Sequence, residues 1–261
     1  MIVLTFVFLF STGRYLLLQQ NKALADSTYD KALQIASQSS KKQDVTADSP
    51  EPAVISQWVP YLPEEDPHID ALKDMDLEAL REVNPDVVGW ILIPDTKINY
   101  PLMQGPDNNY YLNRTWDHKS NAAGSVFLES LSDPELTDFH TILYGHNMND
   151  GSMFAGIREY RNDSFWQEHP YVYIRSDQGV YRYEIFSSYL ANVDTITFGL
   201  GFSGEESKIQ FLDYALGNSV IQTGIHPETT DRIITLSTCS GSTYYTRWVV
   251  HARLKMVLAE A

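Results

Sequence analysis

The chain has 261 residues, 34 acidic against 19 basic side chains for a net charge of −15, and 43% hydrophobic and 12% aromatic content. That composition sustains a packed core over most of the length, enough for one catalytic domain with an added tail, and argues against extended disorder. The acidic balance disfavours nucleic acid, whose binders use clustered Lys and Arg to displace counterions from phosphates, and the single cysteine excludes an intramolecular disulfide.

Residues 1–18 are apolar apart from Ser11, Thr12, Gly13 and Arg14. Because an acidic surface repels anionic head groups, membrane attachment is expected to come from an apolar segment. This stretch therefore predicts an uncleaved single-pass membrane anchor with the catalytic domain on the extracellular side. A cleaved signal peptide is the rival, but Arg14 inside the apolar region and the lack of a clear small-residue cleavage pattern count against it. The absence of Lys or Arg before Ile2 fits a recorded start downstream of the true one. Residues 19–63 read as a helical and linker segment: good helix formers to about Ser40, then Ser, Asp and Pro from Lys41 to Pro63. The catalytic domain is expected over 64–261, opening with a helix over Asp70 to Val83 that Asn84-Pro85 should end.

After Asp86 the pattern changes to short β-rich runs: Val87–Ile93, Ile98–Met103, Ser125–Leu128, Thr141–Tyr144, Tyr171–Arg175, Val180–Leu190, Arg232–Leu236 and Tyr245–Leu254. Eight such runs separated by turns predict a mainly β fold, a closed barrel or a sandwich. Helical interruptions are expected over Ser152–Arg158 and Glu205–Leu216, the latter opened by two glutamates that suit a helix N-terminus.

Three local signals bear on chemistry. Thr235-Leu236-Ser237-Thr238-Cys239 closes a hydrophobic strand ahead of Ser240-Gly241-Ser242, so the thiol sits where the sheet holds it but a turn leaves it reachable. A cysteine capping a core strand is the alternative, and its polar neighbours weigh against it. Leu143-Tyr144-Gly145-His146-Asn147-Met148 places a histidine where a strand leaves the sheet. A thiol needs such a neighbour, because near its free pKa of about 8.5 it is only slightly ionised at neutral pH. His68, His118, His140, His169, His226 and His251 compete for that role, and periodicity does not select among them. Arg247 opens the strand after a turn expected at 240–244, which would set it beside the thiol. Its planar guanidinium suits a substrate backbone or a developing oxyanion; the alternative is a surface ion pair.

Together TLSTC, the string LYGHNMNDGSMF and the downstream arginine resemble the sortase family, specifically its class B branch, over about Val87 to Leu254. The resemblance implies a closed eight-stranded sortase-type barrel with N-terminal helices and an extra helix before the nucleophile strand, which Glu205–Leu216 matches by position. It implies a cysteine transpeptidase with Cys239 as nucleophile, His146 as proton-transfer partner and Arg247 as oxyanion stabiliser. Ser237 and Thr238 would contact substrate. The partners implied are surface proteins bearing a C-terminal sorting motif, opening Asn-Pro or Ser-Pro and cleaved after Thr, and a peptidoglycan amine that resolves the thioester. Pilin-polymerising relatives use a lysine instead, a thiol hydrolase would use water, and a pure peptide-binding barrel would need no thiol at all. The mechanism calls for no metal and no cofactor, and the sequence shows no clustered Cys/His spacing or Gly-rich phosphate loop.

Overall fold

In the computed structural model, which describes residues 2–38, 66–239 and 245–258, the helix formers after Gln19 prolong a helix begun in the apolar segment, and α1 spans Ile2–Gln38. Its second half buries Ala25, Thr28, Tyr29, Ala32 and Ala36, a helical stripe whose small residues let the backbone approach the barrel closely. The contact is polar as well: the Trp116 indole donates to the Thr28 carbonyl at 2.9 Å, and the Tyr29 hydroxyl donates to the Gly124 carbonyl. Among the described residues no helix is long and apolar enough to cross a membrane. That finding overturns the single-pass anchor expected over residues 1–18, on which the expected membrane attachment and extracellular placement rested. The physical reason lies in the sequence, since Ser11–Arg14 interrupts the apolar run and Gln19, Gln20, Asn21 and Lys22 follow it, so the described helix holds no stretch of the roughly 20 apolar residues a span requires. The linker expected over Lys41 to Pro63 lies outside the described residues.

The single helix expected before Asn84 is two: α2 (Pro67–Lys73) and α3 (Leu77–Arg81). Each begins at its own aspartate cap, Asp66 accepting from the His68 amide and Asp76 from the Ala79 amide, and these caps compete with continuation of the helix. The Asp76 amide also donates to the Ala36 carbonyl at 2.9 Å, so the break is tied to the end of α1. Leu72, Leu77 and Leu80 remain buried, which preserves the apolar spacing across the interruption.

Eight strands follow: β1 (Val87–Leu92), β2 (Asn99–Met103), β3 (Val126–Leu128), β4 (His140–Tyr144), β5 (Tyr171–Ser176), β6 (Gly179–Asn192), β7 (Ile233–Cys239) and β8 (Thr246–Leu258). They close into a barrel in the order β1-β2-β3-β4-β7-β8-β6-β5, with β2–β3 and β4–β7 parallel and the other pairs antiparallel. This is the closed form, not the sandwich. Helix α4 (Asp163–Glu168) lies between β4 and β5, preceded by a 3-10 segment over Ala155–Arg161 where a helix from Ser152 was expected. Helix α5 (Glu205–Gly217) precedes β7 and buries Phe211, Leu212 and Ala215 against Phe186, Tyr189, Ile233 and Val249 of the barrel wall.

Between α5 and the barrel two histidines are fully enclosed. His140 of β4 and His251 of β8 both bond the hydroxyl of Thr235 of β7, at 2.6 and 2.8 Å. Burial pushes the His140 pKa down to about 4 and that of His251 well below its usual value. Between about pH 4 and the unfolded value near 6.5, the unfolded chain binds protons that the native one refuses. Stability is then full above about pH 6.5 and falls as the pH drops toward 4. From His140 alone the loss between pH 7 and pH 5 should be roughly 2 kcal/mol. Urea midpoints measured across that range should decline, and the decline should shrink in His140→Asn; midpoints that stay flat in the wild type would contradict neutral burial of these rings.

Candidate active site

The carboxyl end of β7 is flanked on both sides. On one side β4 runs parallel to it, pairing Tyr144 with Ser237, and the Gly145 amide adds a last bond to the Ser237 carbonyl at 3.2 Å before the chain turns away at His146. On the other side β8 runs antiparallel and sets Arg247 directly opposite Cys239. The strand register thus brings the backbone positions of Cys239 and Arg247 together, and His146 leaves the neighbouring strand at the same end. The turn expected at 240–244 lies outside the described residues.

His146 is fixed locally. A Cβ on Gly145 would stand 2.6 Å from the Phe154 ring, so glycine is what lets the strand pass that side chain. The Phe154 amide donates to the His146 carbonyl at 3.0 Å, and Asn147 bridges Met153, folding residues 147–153 back under the histidine. The ring bonds the Leu112 carbonyl through Nε2 at 2.6 Å. A carbonyl only accepts, so Nε2 carries the proton in this contact.

A cavity of about 370 Å³ opens here, and His146, Ser237, Thr238 and Arg247 all line it. Of the seven histidines, all among the described residues, His146 is the one on its wall. His140 and His251 lie in the core, and the ring of His169 bonds the Pro94 carbonyl at 3.0 Å. The Ser237 and Thr238 hydroxyls are buried without a hydrogen-bond partner among the described residues.

Sequence reasoning missed the opposite wall. Glu129, 5% exposed, accepts from the Asn108 amide nitrogen at 2.7 Å and from the Tyr144 hydroxyl at 2.9 Å, and both of these donors line the cavity. Burial, then the Glu129 carboxylate, raises the Tyr144 pKa above its ordinary value, while the nearby Arg247 charge opposes that rise. The phenol therefore stays protonated and remains a donor to Glu129. Asn108 spends its side-chain oxygen on the Ser130 amide at 2.9 Å, which fixes the amide so that its nitrogen faces Glu129. Val193 and Phe198 supply an apolar flank. Only Tyr144 carried a sequence signal, as part of the string around His146; Asn108 and Glu129 sit in segments with no periodic pattern. Among the described residues no group of three or more His, Cys, Asp or Glu is placed to hold a metal ion.

The site therefore gathers an imidazole, a guanidinium and two buried hydroxyls around the strand that ends in the chain's one cysteine, groups of the kind that thiol-based acyl transfer uses. The sortase domain family matches residues 91–255. Sortase B of Listeria monocytogenes is 37% identical over 181 residues, covering 69% of this chain and 74% of that protein. The crystal structure of Staphylococcus aureus sortase B superposes with a TM-score of 0.67 at 33% identity, over 70% of this chain and 87% of that one. A Staphylococcus aureus sortase B–substrate complex gives 0.66 at 32% identity, over 73% and 87%. Barrel order, the match along most of the domain and the relatives agree: the chain belongs to the sortase family, in its class B branch, and is a cysteine transpeptidase.

Proposed function

We propose that the chain cleaves a C-terminal sorting motif after Thr and transfers the resulting acyl group to a peptidoglycan amine through a thioester on Cys239. In this reading the Cys239 thiolate attacks the Thr carbonyl carbon and the carbonyl electrons move onto oxygen, where the Arg247 guanidinium opposes the developing charge. Collapse re-forms the C=O and breaks the C–N bond, while His146 gives the leaving nitrogen a proton, leaving a thioester. The acceptor amine then attacks the thioester, His146 takes its proton, and thiolate departs as the new amide forms. The His146 bond to the Leu112 carbonyl supports this role by holding the ring at the cavity wall.

Ser237 and Thr238 would accept or donate to the bound peptide, as hydroxyls without a partner among the described residues allow. The observation that carries the reading is the register that sets Arg247 opposite Cys239 beside the strand leading to His146. That a Staphylococcus aureus relative has been captured with substrate supports a peptide as the occupant of this cavity.

The test is a peptide panel read by mass. Peptides opening Asn-Pro, Ser-Pro or Leu-Pro before Thr are incubated with enzyme, with and without a small cross-bridge-like amine or a lysine peptide. Cleavage after Thr of an Asn-Pro or Ser-Pro peptide, with an adduct that grows with the wall-type amine, is expected. Preference for the lysine peptide would point to pilin assembly, and free acid at every amine concentration to a thiol hydrolase. Cleavage of the Leu-Pro peptide alone would overturn the substrate assignment.

A further inference from the structure

Behind the cavity lies a closed run of hydrogen bonds through four strands that the reaction itself does not use. It begins at the Gly199 carbonyl, which the Nδ1 of His140 bonds at 2.8 Å. From His140 it passes to the Thr235 hydroxyl at 2.6 Å, to Nδ1 of His251 at 2.8 Å, from Nε2 of His251 to the Tyr189 hydroxyl at 3.0 Å, and on to the Thr197 hydroxyl at 2.8 Å. The run leaves and re-enters the same segment, the 3-10 turn Ile196–Phe198 and the glycine after it. Phe198, which lines the cavity, sits between the two attachment points Thr197 and Gly199.

The direction of every proton follows from one end. The Gly199 carbonyl can only accept, so His140 carries its proton on Nδ1 and, neutral by burial, offers Nε2 as an acceptor. Thr235 must donate its single hydroxyl proton there, so its oxygen accepts from Nδ1 of His251. His251 then presents a bare Nε2 to the Tyr189 hydroxyl, whose oxygen accepts from Thr197. Both histidines are thereby held in the same tautomer, and each donor has one acceptor. Thr235 is hydrogen-bonded to both rings, and it lies on β7, four residues before Cys239.

We propose that Thr235, bridging His140 and His251, is a positioning residue that holds the 193–198 wall of the cavity in register with the strand carrying Cys239. Its consequence for peptide binding rests on the reading of this cavity as the peptide site. The anchoring of the wall does not. Four strands share the bonds, so the wall is referenced to the barrel frame instead of to its own loop, and the apolar flank offered by Val193 and Phe198 keeps one spacing from Ser237 and Thr238.

Volume and hydrogen bonding make opposite demands at position 235, which separates this role from simple core filling. Thr235→Val keeps the shape and deletes the hydroxyl, stranding a bare nitrogen on His140 and an N–H on His251. Thr235→Ser keeps the hydroxyl and loses a methyl. If the wall is held by the relay, amide hydrogen exchange over residues 193–199 should rise about tenfold or more in the valine variant, and KM for a cleaved sorting peptide should rise about three- to tenfold with kcat changed less than about twofold. The serine variant should stay within about twofold of wild type on both measures.

Exchange unchanged in Thr235→Val, or a serine variant as perturbed as the valine one, would overturn the proposal. Should Thr235→Val fail to fold, Thr197→Val cuts the same run at its far end and should raise exchange and KM in the same direction; no change there would overturn it equally. Wild-type enzyme that cleaves no sorting peptide, while exchange responds to Thr235→Val as expected, would refute the peptide-site reading and leave the anchoring of the wall standing.

Discussion

Replacing Cys239 by alanine should reduce sorting-peptide cleavage by about 10⁴-fold or more while leaving the far-ultraviolet circular dichroism and the urea midpoint close to wild type. The expectation rests on place and number. Cys239 is the last residue of β7, its backbone paired with Arg247, and no second thiol exists in the chain to substitute for it. Alanine suits a strand end, so loss of the sulfur should remove chemistry and leave the pairing of β7 with β4 and β8 intact. On the proposed mechanism no thioester could then form, and neither His146 nor Arg247 would have an intermediate to act upon. Alkylation should give the same result in the native protein, with one adduct by intact mass and activity falling in proportion to it. A Cys239→Ala enzyme retaining more than about one per cent of wild-type turnover would rule out the thiol as nucleophile.

Arg247→Lys should cost about 10²–10³-fold in kcat/KM although the charge is kept. Arg247 opens β8 opposite Cys239 and lines the cavity, close enough to Tyr144 for its charge to act on the phenol. A guanidinium offers a fixed planar fork from that position, whereas an ammonium on a flexible stem presents a single point of charge with its own tightly held water. If the role is to meet a developing oxyanion, the loss should appear mainly in kcat, because the bond strengthens in the transition state. A lysine variant with unchanged kcat and a raised KM would reassign Arg247 to holding the substrate backbone. Near-wild-type values of both would reduce it to a distant electrostatic influence.

Much of the barrel was legible because half-buried and buried strands announce themselves as short β-branched and aromatic runs between turn residues. All eight runs are strands, and the α5 segment was recognisable from its acidic start and apolar face. What the sequence hid were interruptions decided by caps and by distant packing. Asp76 breaks the helix before Asn84 because it caps α3 and meets the end of α1, and α4, at six residues, is too short to show a period. The N-terminal apolar run suggested an anchor, and its polar interruption and polar continuation defeat that reading. The motif strings singled out Cys239, His146 and Arg247 as candidates, and the structure puts His146 and Arg247 on one cavity and pairs the Arg247 backbone with that of Cys239. Asn108, Glu129 and the 193–198 wall were not readable, because they reach the cavity through loops and through parallel pairing of strands far apart in sequence.

The strand order also sets a timetable for the molecule. β7 is inserted between β4 and β8, and β8 in turn joins β6, so the last two strands to be made close the ring. Until they arrive, β4 and β6 each present an open edge able to pair with a neighbouring chain. The cavity gains Ser237, Thr238 and Arg247 in that same closing step. An emerging chain thus completes this cavity only on completing its fold, and on the proposed reading a partly synthesised chain has no formed site with which to attack a passing peptide.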